Sequence, residues 1–247
     1  MVYNPLQYLP SALELPDSDD TPVDNELQIL IPTLLRAILA WLWSRQDWFF
    51  GVNMGVYYNP KEPAIVPDGF LSLGVERRKS EKGRLSYVLW EEKDIVPQLV
   101  LEVVSRTYGQ EYQGKLFKYA QLGVLYYIVY NPEYWQRDKH EPFEVYRLVD
   151  GEYVRQQGEC VWLAEINLGI GREQGNFEGW NREWLYWYDS DGNRLLSPDE
   201  RIQQEQRLRE EERRLREEEQ RLREEERRLR EELITKLRAR GIDPDTL

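Results

Sequence analysis

The spacing of apolar residues changes several times along the chain, and each change predicts an element. Between Asp24 and Ser44, the residues Leu27, Leu30, Ile31, Leu34, Leu35, Ile38 and Leu42 recur at helical spacing, so a helix with one buried face is expected. Asp24 or Asn25 can cap it, and Pro32 should kink it or mark where its first turn re-forms. From Trp48 the helical period disappears. WFFGVNMGVYYNP reads as a strand ending at Asn59-Pro60, and AIVPDGFLSLGV as a second strand broken at Pro67. LSYVLWEE is a third run and PQLVLEVVS a fourth. LVLEVV is apolar on both faces apart from Glu102, as a central, buried strand would be. Gly109 to Leu122 is expected to form a helix with Leu116, Tyr119 and Ala120 inward and Gly123 as its C-cap. VLYYIVY is a fifth strand, and PFEVYRLVDGEYVRQQ a hairpin around Asp150-Gly151. Strand, helix and strand over 99–131 make a βαβ-like unit within a mixed sheet, so the class is α/β.

The flanks read differently. Residues 1–23 hold four prolines and little periodicity and are expected to be an extended arm. Residues 161–198 are rich in Trp, Gly and Tyr and read as irregular, a hairpin or loop cap with a turn at Asp191-Gly192. Beyond them QRLREEERRLREEE is followed by QRLREEERRLREEL, with Leu208, Leu215, Leu222 and Leu229 seven residues apart. Only one of the two seam positions of each heptad is apolar, the other being Glu211 or Glu212 and its repeats. Glu-to-Arg pairs four residues apart are dense, among them Glu210–Arg214, Glu212–Arg216 and Glu219–Arg223. A solvated single helix and a weak dimeric coiled coil both fit, and Gly241 and Pro244 would stop either. The organisation expected is therefore a domain over 1–198 and a charged helical tail over 199–247.

Charge complicates the picture. The net charge is −12. Acidic and basic residues balance between Asp199 and Arg240, and Asp243 and Asp245 add two negative charges, so about −10 belongs to the domain. That counts against a nucleic-acid binder, which usually shows a basic face. Cys160 and His140 each occur once. No intramolecular disulfide is possible, which points to a reducing compartment, and the two cannot make a zinc site by themselves; a Cys–His nucleophile pair is open, but a packed thiol and a surface imidazole are expected. No secretory leader is visible in residues 1–14, and Leu27–Trp43 is interrupted by Pro32 and Arg36. A soluble, cytoplasmic protein with no membrane partner is expected.

Candidate chemistry lies between Ile65 and Pro132. Asp68 follows a proline at a strand break, where a side chain can turn out of the sheet. Glu102 sits inside Leu, Val and Val. A lone carboxylate in a dry strand costs several kcal/mol unless something compensates it. A divalent cation such as Mg2+ or Mn2+ would do so, and with Lys115 nearby these parts suffice for phosphodiester hydrolysis. A structural ion pair of Glu102 with Lys115 or Arg106 would also do so. Glu91 and Glu92, at the end of the third run, are surface acids or border the site. Arg77, Arg78, Lys79, Lys82 and Arg84 form a basic cluster, a solvated loop unless DNA is bound, in which case they are the first candidates for phosphate contact. The aromatic residues of 180–188 are expected to pack as a cap rather than stack on bases.

VPDGF, LVLEVVS and K-x-x-x-YAQLGVLYYIVYNP, together with the early helix, WFFGVNMGVYY, the WEE strand end and WLYWYDSDGN, resemble the Uma family of restriction-endonuclease-like proteins in the PD-(D/E)XK nuclease superfamily. The resemblance covers the whole of 1–198. It implies a restriction-endonuclease-like mixed sheet with flanking helices, to which the charged C-terminal helix is added. It also implies Mg2+-dependent cleavage of DNA, with Asp68 as the motif aspartate and Glu102 as the second metal ligand. The superfamily's commonest lysine position is here Val104, and Lys115 matches the family's alternative on the following helix. Glu111 matches a frequent family acid, and Glu26 or Asp24 is a candidate for an acid from the first helix. The rival reading is a non-catalytic scaffold that recruits partners through its C-terminal helix, and a third is a nuclease acting on RNA. A homodimer through the core or the C-terminal helix is open under each.

Overall fold

The structure, a computed structural model, describes residues 8–16, 24–79, 81–106 and 110–240. The arm expected over 1–23 lies partly outside these residues, and Gly109, Gly241 and Pro244 lie wholly outside them. The chain forms two units, Met1–Ser197 and Pro198–Leu247.

In the first unit the elements are α1 (Leu27–Leu42), β1 (Trp48–Val52), β2 (Val56–Tyr57), β3 (Gly69–Leu73), β4 (Tyr87–Val88), β5 (Leu99–Val103), α2 (Gly114–Leu122), β6 (Tyr126–Tyr130), α3 (Trp135–Asp138), β7 (Phe143–Val149), β8 (Glu152–Gln156), β9 (Cys160–Leu163), β10 (Leu168–Phe177) and β11 (Trp180–Tyr188). Six strands make one mixed sheet in the order β1-β3-β5-β6-β7-β8. β5 and β6 run parallel, joined through α2, and the other neighbours are antiparallel. These two central strands are buried along their whole length. One face of the sheet, with Leu99, Leu101, Val103, Ile128 and Val145, packs with α1 and the antiparallel sheet β11-β10-β9. The other face, with Val100, Val104, Tyr127 and Val129, packs with Tyr119 and Leu122 of α2. The architecture is a mixed α/β sheet with flanking helices, and a long helix follows it.

Local chemistry explains how α1 meets the sheet. Asn25 caps it, its Oδ1 accepting the Leu27 N–H at 2.9 Å. Pro32 lies inside the helix without ending it. Its missing N–H leaves the Gln28 carbonyl without the usual partner, and that carbonyl accepts from Asn53 Nδ2 at 3.4 Å. The proline ring lies directly over Gly69, where a Cβ would come within 2.8 Å of Pro32 Cβ.

Several sequence expectations need correcting. The run from Trp48 to Asn59 is two strands, interrupted at Asn53, which has a φ of 44°. The third run keeps strand geometry only at Tyr87–Val88 and then turns through a short 3-10 segment, Leu89–Glu91. α2 starts at Gly114, because Gln110, at φ 63°, is left-handed and Gln113 is not yet helical. Residues 161–198 are not irregular: they include β9, β10 and β11, the last two being ten and nine residues long. Their hairpin turns at Glu178-Gly179, with φ 51° and 78°. Asp191-Gly192 is a later turn, held by Asp189, whose Oδ1 accepts the N–H groups of Asp191 and Asn193 at 2.9 Å each. Trp184, Tyr186 and Trp187 are fully buried, and Trp187 Nε1 donates to the Leu35 carbonyl at 3.0 Å. Cys160 is exposed rather than packed, and His140 stacks on Tyr112 with centroids 3.5 Å apart.

The second unit is α4 (Pro198–Ala239), with no buried residue among its side chains. Arg209, Arg216 and Arg223 pair with Glu205, Glu212 and Glu219 four residues before them. Among the described residues no helix is long and apolar enough to cross a membrane.

Candidate active site

The antiparallel ladder between β3 and β5 pairs Leu71 with Leu99, Phe70 with Val100 and Gly69 with Leu101. One step further in the same register brings Asp68 opposite Glu102. Side chains alternate along each strand, so both carboxylates share the face of Phe70 and Val100, the face on which α2 packs. The ladder stops here because Pro67 lacks a donor and its ring disfavours regular pairing. Asp68 then does with its side chain what the backbone no longer does: Oδ2 accepts the Val103 N–H at 2.6 Å. Asp68 is 6% exposed and Glu102 1%.

α2 supplies the groups that meet Glu102. Lys115 and Tyr119 are four residues apart and so project from one side of the helix. Lys115 Nζ lies 2.8 Å from Glu102 Oε2, and Tyr119 Oη donates to Oε1 at 2.7 Å. The lysine side chain is 30% exposed, so its stem reaches in from the solvent side. Burial works to lower the Lys115 pKa, but the charge and hydrogen bond of Glu102 outweigh it and hold the ammonium above its ordinary value. Burial pushes Glu102 up, with Lys115 and Tyr119 opposing. Asp68 is pushed well above the usual carboxylate range, first by burial and then by the charge of Glu102, and the Val103 N–H only partly offsets this. The imbalance has a simple origin. Glu102 has an ammonium partner, while Asp68 makes no ion pair among the described residues.

Glu111, just before α2, is buried, and its carbonyl accepts from Tyr127 Oη at 2.7 Å. Its charge acts on both Glu102 and Lys115. The first helix contributes Gln28: its Nε2 reaches the Val103 carbonyl at 3.4 Å, and its side chain lies near enough to Asp68 to favour the ionised carboxylate slightly. Of the acids considered there, Glu26 is exposed and Asp24 accepts from Ser105 Oγ at 2.9 Å. Tyr119 and Gln28 are site residues that the sequence reading missed. The Lys115-x-x-x-Tyr119 spacing was the available signal, whereas nothing near Gln28 distinguishes it from its neighbours.

The basic cluster is not a free cationic loop. The Arg84 side chain is 4% exposed and its Nε lies 2.9 Å from Glu92 Oε1, with its guanidinium over the Phe49 ring. Lys79 pairs with Glu91 at 3.0 Å and Glu92 at 3.2 Å. Glu91 also accepts the Ala12 N–H, so Glu91 and Glu92 belong to this network and not to the Asp68–Glu102 site. Arg77 lies over the Trp48 ring, and Arg78 and Lys82 are exposed. Arg106 is exposed as well, and Lys115 is the residue that pairs with Glu102.

The donor set suits a hard divalent cation: two buried carboxylates, only one of them paired with an ammonium, with oxygen lone pairs left beyond the hydrogen bonds described. Among the described residues no group of three or more His, Cys, Asp or Glu side chains is placed to hold a metal. An ion at Asp68 and Glu102 would therefore keep water or substrate oxygens as its other ligands, which is the habit of Mg2+.

A family model described as "Putative restriction endonuclease", Uma2, matches residues 20–170, more than half of the chain. The chain belongs to this family. The Uma2 match takes in Asp68, Glu102, Glu111, Lys115 and Tyr119 and ends before α4. One solved structure, titled a putative nuclease belonging to DUF820 from Anabaena variabilis ATCC 29413, is similar at 12% identity and a TM-score of 0.39, over 57% of this chain and 73% of its own. No curated protein matches.

Proposed function

We propose that this Uma2 protein is an endonuclease that hydrolyses phosphodiester bonds in DNA with Mg2+ or Mn2+ at Asp68 and Glu102. The observation that carries this reading is the charge deficit of the site: two buried carboxylates stand opposite one another on adjacent strands, and an ammonium pairs with only one of them. Structural ion pairs balance their charges, whereas sites that gather unbalanced carboxylates are built for a cation or a proton. When bound, such a cation supplies Lewis-acid polarisation of a phosphoryl oxygen and acidification of a nearby water. The chain's own residues supply the rest. The Val103 N–H fixes the Asp68 carboxylate, and Tyr119 fixes that of Glu102. Lys115, part-exposed beside them, orients the attacking water or stabilises charge developing on the phosphoryl group. Self-association through the domain or through α4 would present two such sites to one duplex. A cytoplasmic location goes with this reading, since both DNA and a free thiol such as Cys160 are at home there.

The rival reading, a silent scaffold on a nuclease fold, is favoured by one observation: Lys79 and Arg84 are spent on Glu91 and Glu92 rather than offered to phosphate. A cleavage assay decides between them. Wild type should nick or cut plasmid DNA with Mg2+ or Mn2+ and lose this activity in chelator. Asp68→Asn, Glu102→Gln and Lys115→Met should each lose about 10²–10³-fold, as expected when a charged group stabilising the transition state is removed. Equal cleavage by wild type and Asp68→Asn, or no cleavage of duplex, single-stranded DNA or RNA by any of them, would leave only the scaffold.

A further inference from the structure

We infer that α4 is a self-recognition surface, pairing with α4 of a second copy of this chain in parallel and in register. Leu208, Leu215, Leu222 and Leu229 are 58, 55, 55 and 54% exposed and Leu233 is 57% exposed. Leucines seven residues apart lie along one slowly winding stripe of the helix, and here the whole stripe meets solvent.

What covers the stripe follows from the charges beside it. Take the four leucines as one seam position of each heptad. The other seam position is then Glu205, Glu212, Glu219 and Glu226, and the same row continues into Leu233. The two flanking positions are uniform: Arg209, Arg216, Arg223 and Arg230 on one side, Glu211, Glu218, Glu225 and Glu232 on the other. In a parallel, in-register pair each flank meets the opposite flank of the partner, one heptad on. Glu211 is then set against the partner's Arg216, Glu218 against the partner's Arg223 and Glu225 against the partner's Arg230. In an antiparallel pair Arg would lie beside Arg and Glu beside Glu along the whole length. Moving the leucines to the alternative seam position keeps this preference, because the flanks are then Arg207, Arg214 and Arg221 against Glu212, Glu219 and Glu226.

The acids on the seam oppose pairing, and the helix itself softens that cost. Arg216 lies 2.5 Å from Glu212 and Arg223 2.6 Å from Glu219 on the same chain. In the pair, Arg216 would therefore bridge its own Glu212 and the partner's Glu211. The acids weaken the pair and the arginines fix its direction, as polar seam residues do elsewhere. A partner of another kind would need a matching alternation of Glu and Arg flanks, which a second copy of this chain carries.

Sedimentation of the full chain tests this inference. The mass should rise from 29.7 kDa towards twice that value as concentration is raised through about 1–100 µM. The doubly substituted Leu215→Glu, Leu222→Glu protein, which keeps good helix formers, should stay monomeric over the same range. Direction is read by oxidation in a Cys160→Ser background, since Cys160 is exposed. Leu208→Cys alone should give a disulfide-linked dimer. A concentration-independent mass, association that survives Leu215→Glu, Leu222→Glu, or a cross-link that forms only when Leu208→Cys and Leu229→Cys proteins are mixed would each overturn the inference. None of these readouts uses cleavage activity, so it stands or falls apart from the proposed nuclease site.

Discussion

Asp68 is costly to keep ionised where it stands. Its carboxyl is held well above 3.8 by burial and by the neighbouring charge of Glu102. A raised carboxyl pKa means that the fold prefers the protonated form. The stabilisation is complete below the unfolded value near 3.8 and is lost as pH rises through the folded value. The group therefore runs opposite to Glu91 and Asp138, whose pKa values are lowered and whose contribution is lost as pH falls. Subtracting the thermal stability of wild type from that of Asp68→Asn cancels those other groups. In chelator the difference should be near zero at the acid end and should grow in favour of Asn as pH rises. It should reach about 1–3 kcal/mol near neutrality, the usual cost of a buried polar group left uncompensated. Mg2+ should then raise the melting temperature of wild type and not that of the variant. A difference that does not vary with pH would show that Asp68 carries no such burden.

At the scale of elements, the site depends on how closely α1 approaches β3. Pro32 and Gly69 make that contact, and a Cβ on Gly69 would meet Pro32 Cβ at 2.8 Å and the Phe50 ring at 3.2–3.3 Å. Gly69→Ala should cost about 1–3 kcal/mol through overpacking, read as a loss in chemical denaturation. Because Gly69 follows Asp68 directly, cleavage should fall by more than the small unfolded fraction explains. Gly192→Ala, at an exposed turn with φ 79° and nothing within 4 Å of a new Cβ, should lose only the strain of its own backbone and leave cleavage unchanged. The same elements show what was legible in the sequence. β5, α2 and β6 were readable because apolar runs this dense admit few alternatives, and a carboxylate inside one of them stands out. β10 was not, because Gly169, Gly171 and Gly175 depress strand propensity. The reason for these glycines is close packing from the neighbouring strands: a Cβ on Gly169 would meet Cys160 Sγ and Tyr188 Cβ at 3.1 Å, one on Gly171 the Glu159 carbonyl oxygen at 2.7 Å, and one on Gly175 the Tyr186 hydroxyl at 2.0 Å. Tyr119 read as a core residue since its ring is one. Only its hydroxyl, placed once α2 packs on the sheet, makes it part of the site.

For the whole molecule the question is how a chain of net charge −12 would meet a polyanion. Reading 76–84 as a charged loop missed that Lys79 and Arg84 fold back onto Glu91 and Glu92, an ion-pair network that spacing alone does not reveal. Of that cluster Arg78, Lys79 and Lys82 are exposed to solvent, and Lys79 is held by Glu91 and Glu92. The two pairs should therefore respond differently to substitution. Each phosphate contact adds about 0.9 to the slope of log affinity against log salt, so Arg78→Ala, Lys82→Ala should weaken binding to duplexes of any sequence and flatten that slope by about 1–2. Binding is best measured with Ca2+ in place of Mg2+, to leave the DNA intact while the carboxylates stay neutralised. Arg84→Ala should instead lower the melting temperature, because it leaves Glu92, itself 6% exposed, without its buried guanidinium partner. The salt slope should stay as in wild type. If Arg84→Ala flattened the slope and Arg78→Ala, Lys82→Ala did not, the network would have to open on contact with DNA, and the basic cluster would be a phosphate clamp held closed by its own acids.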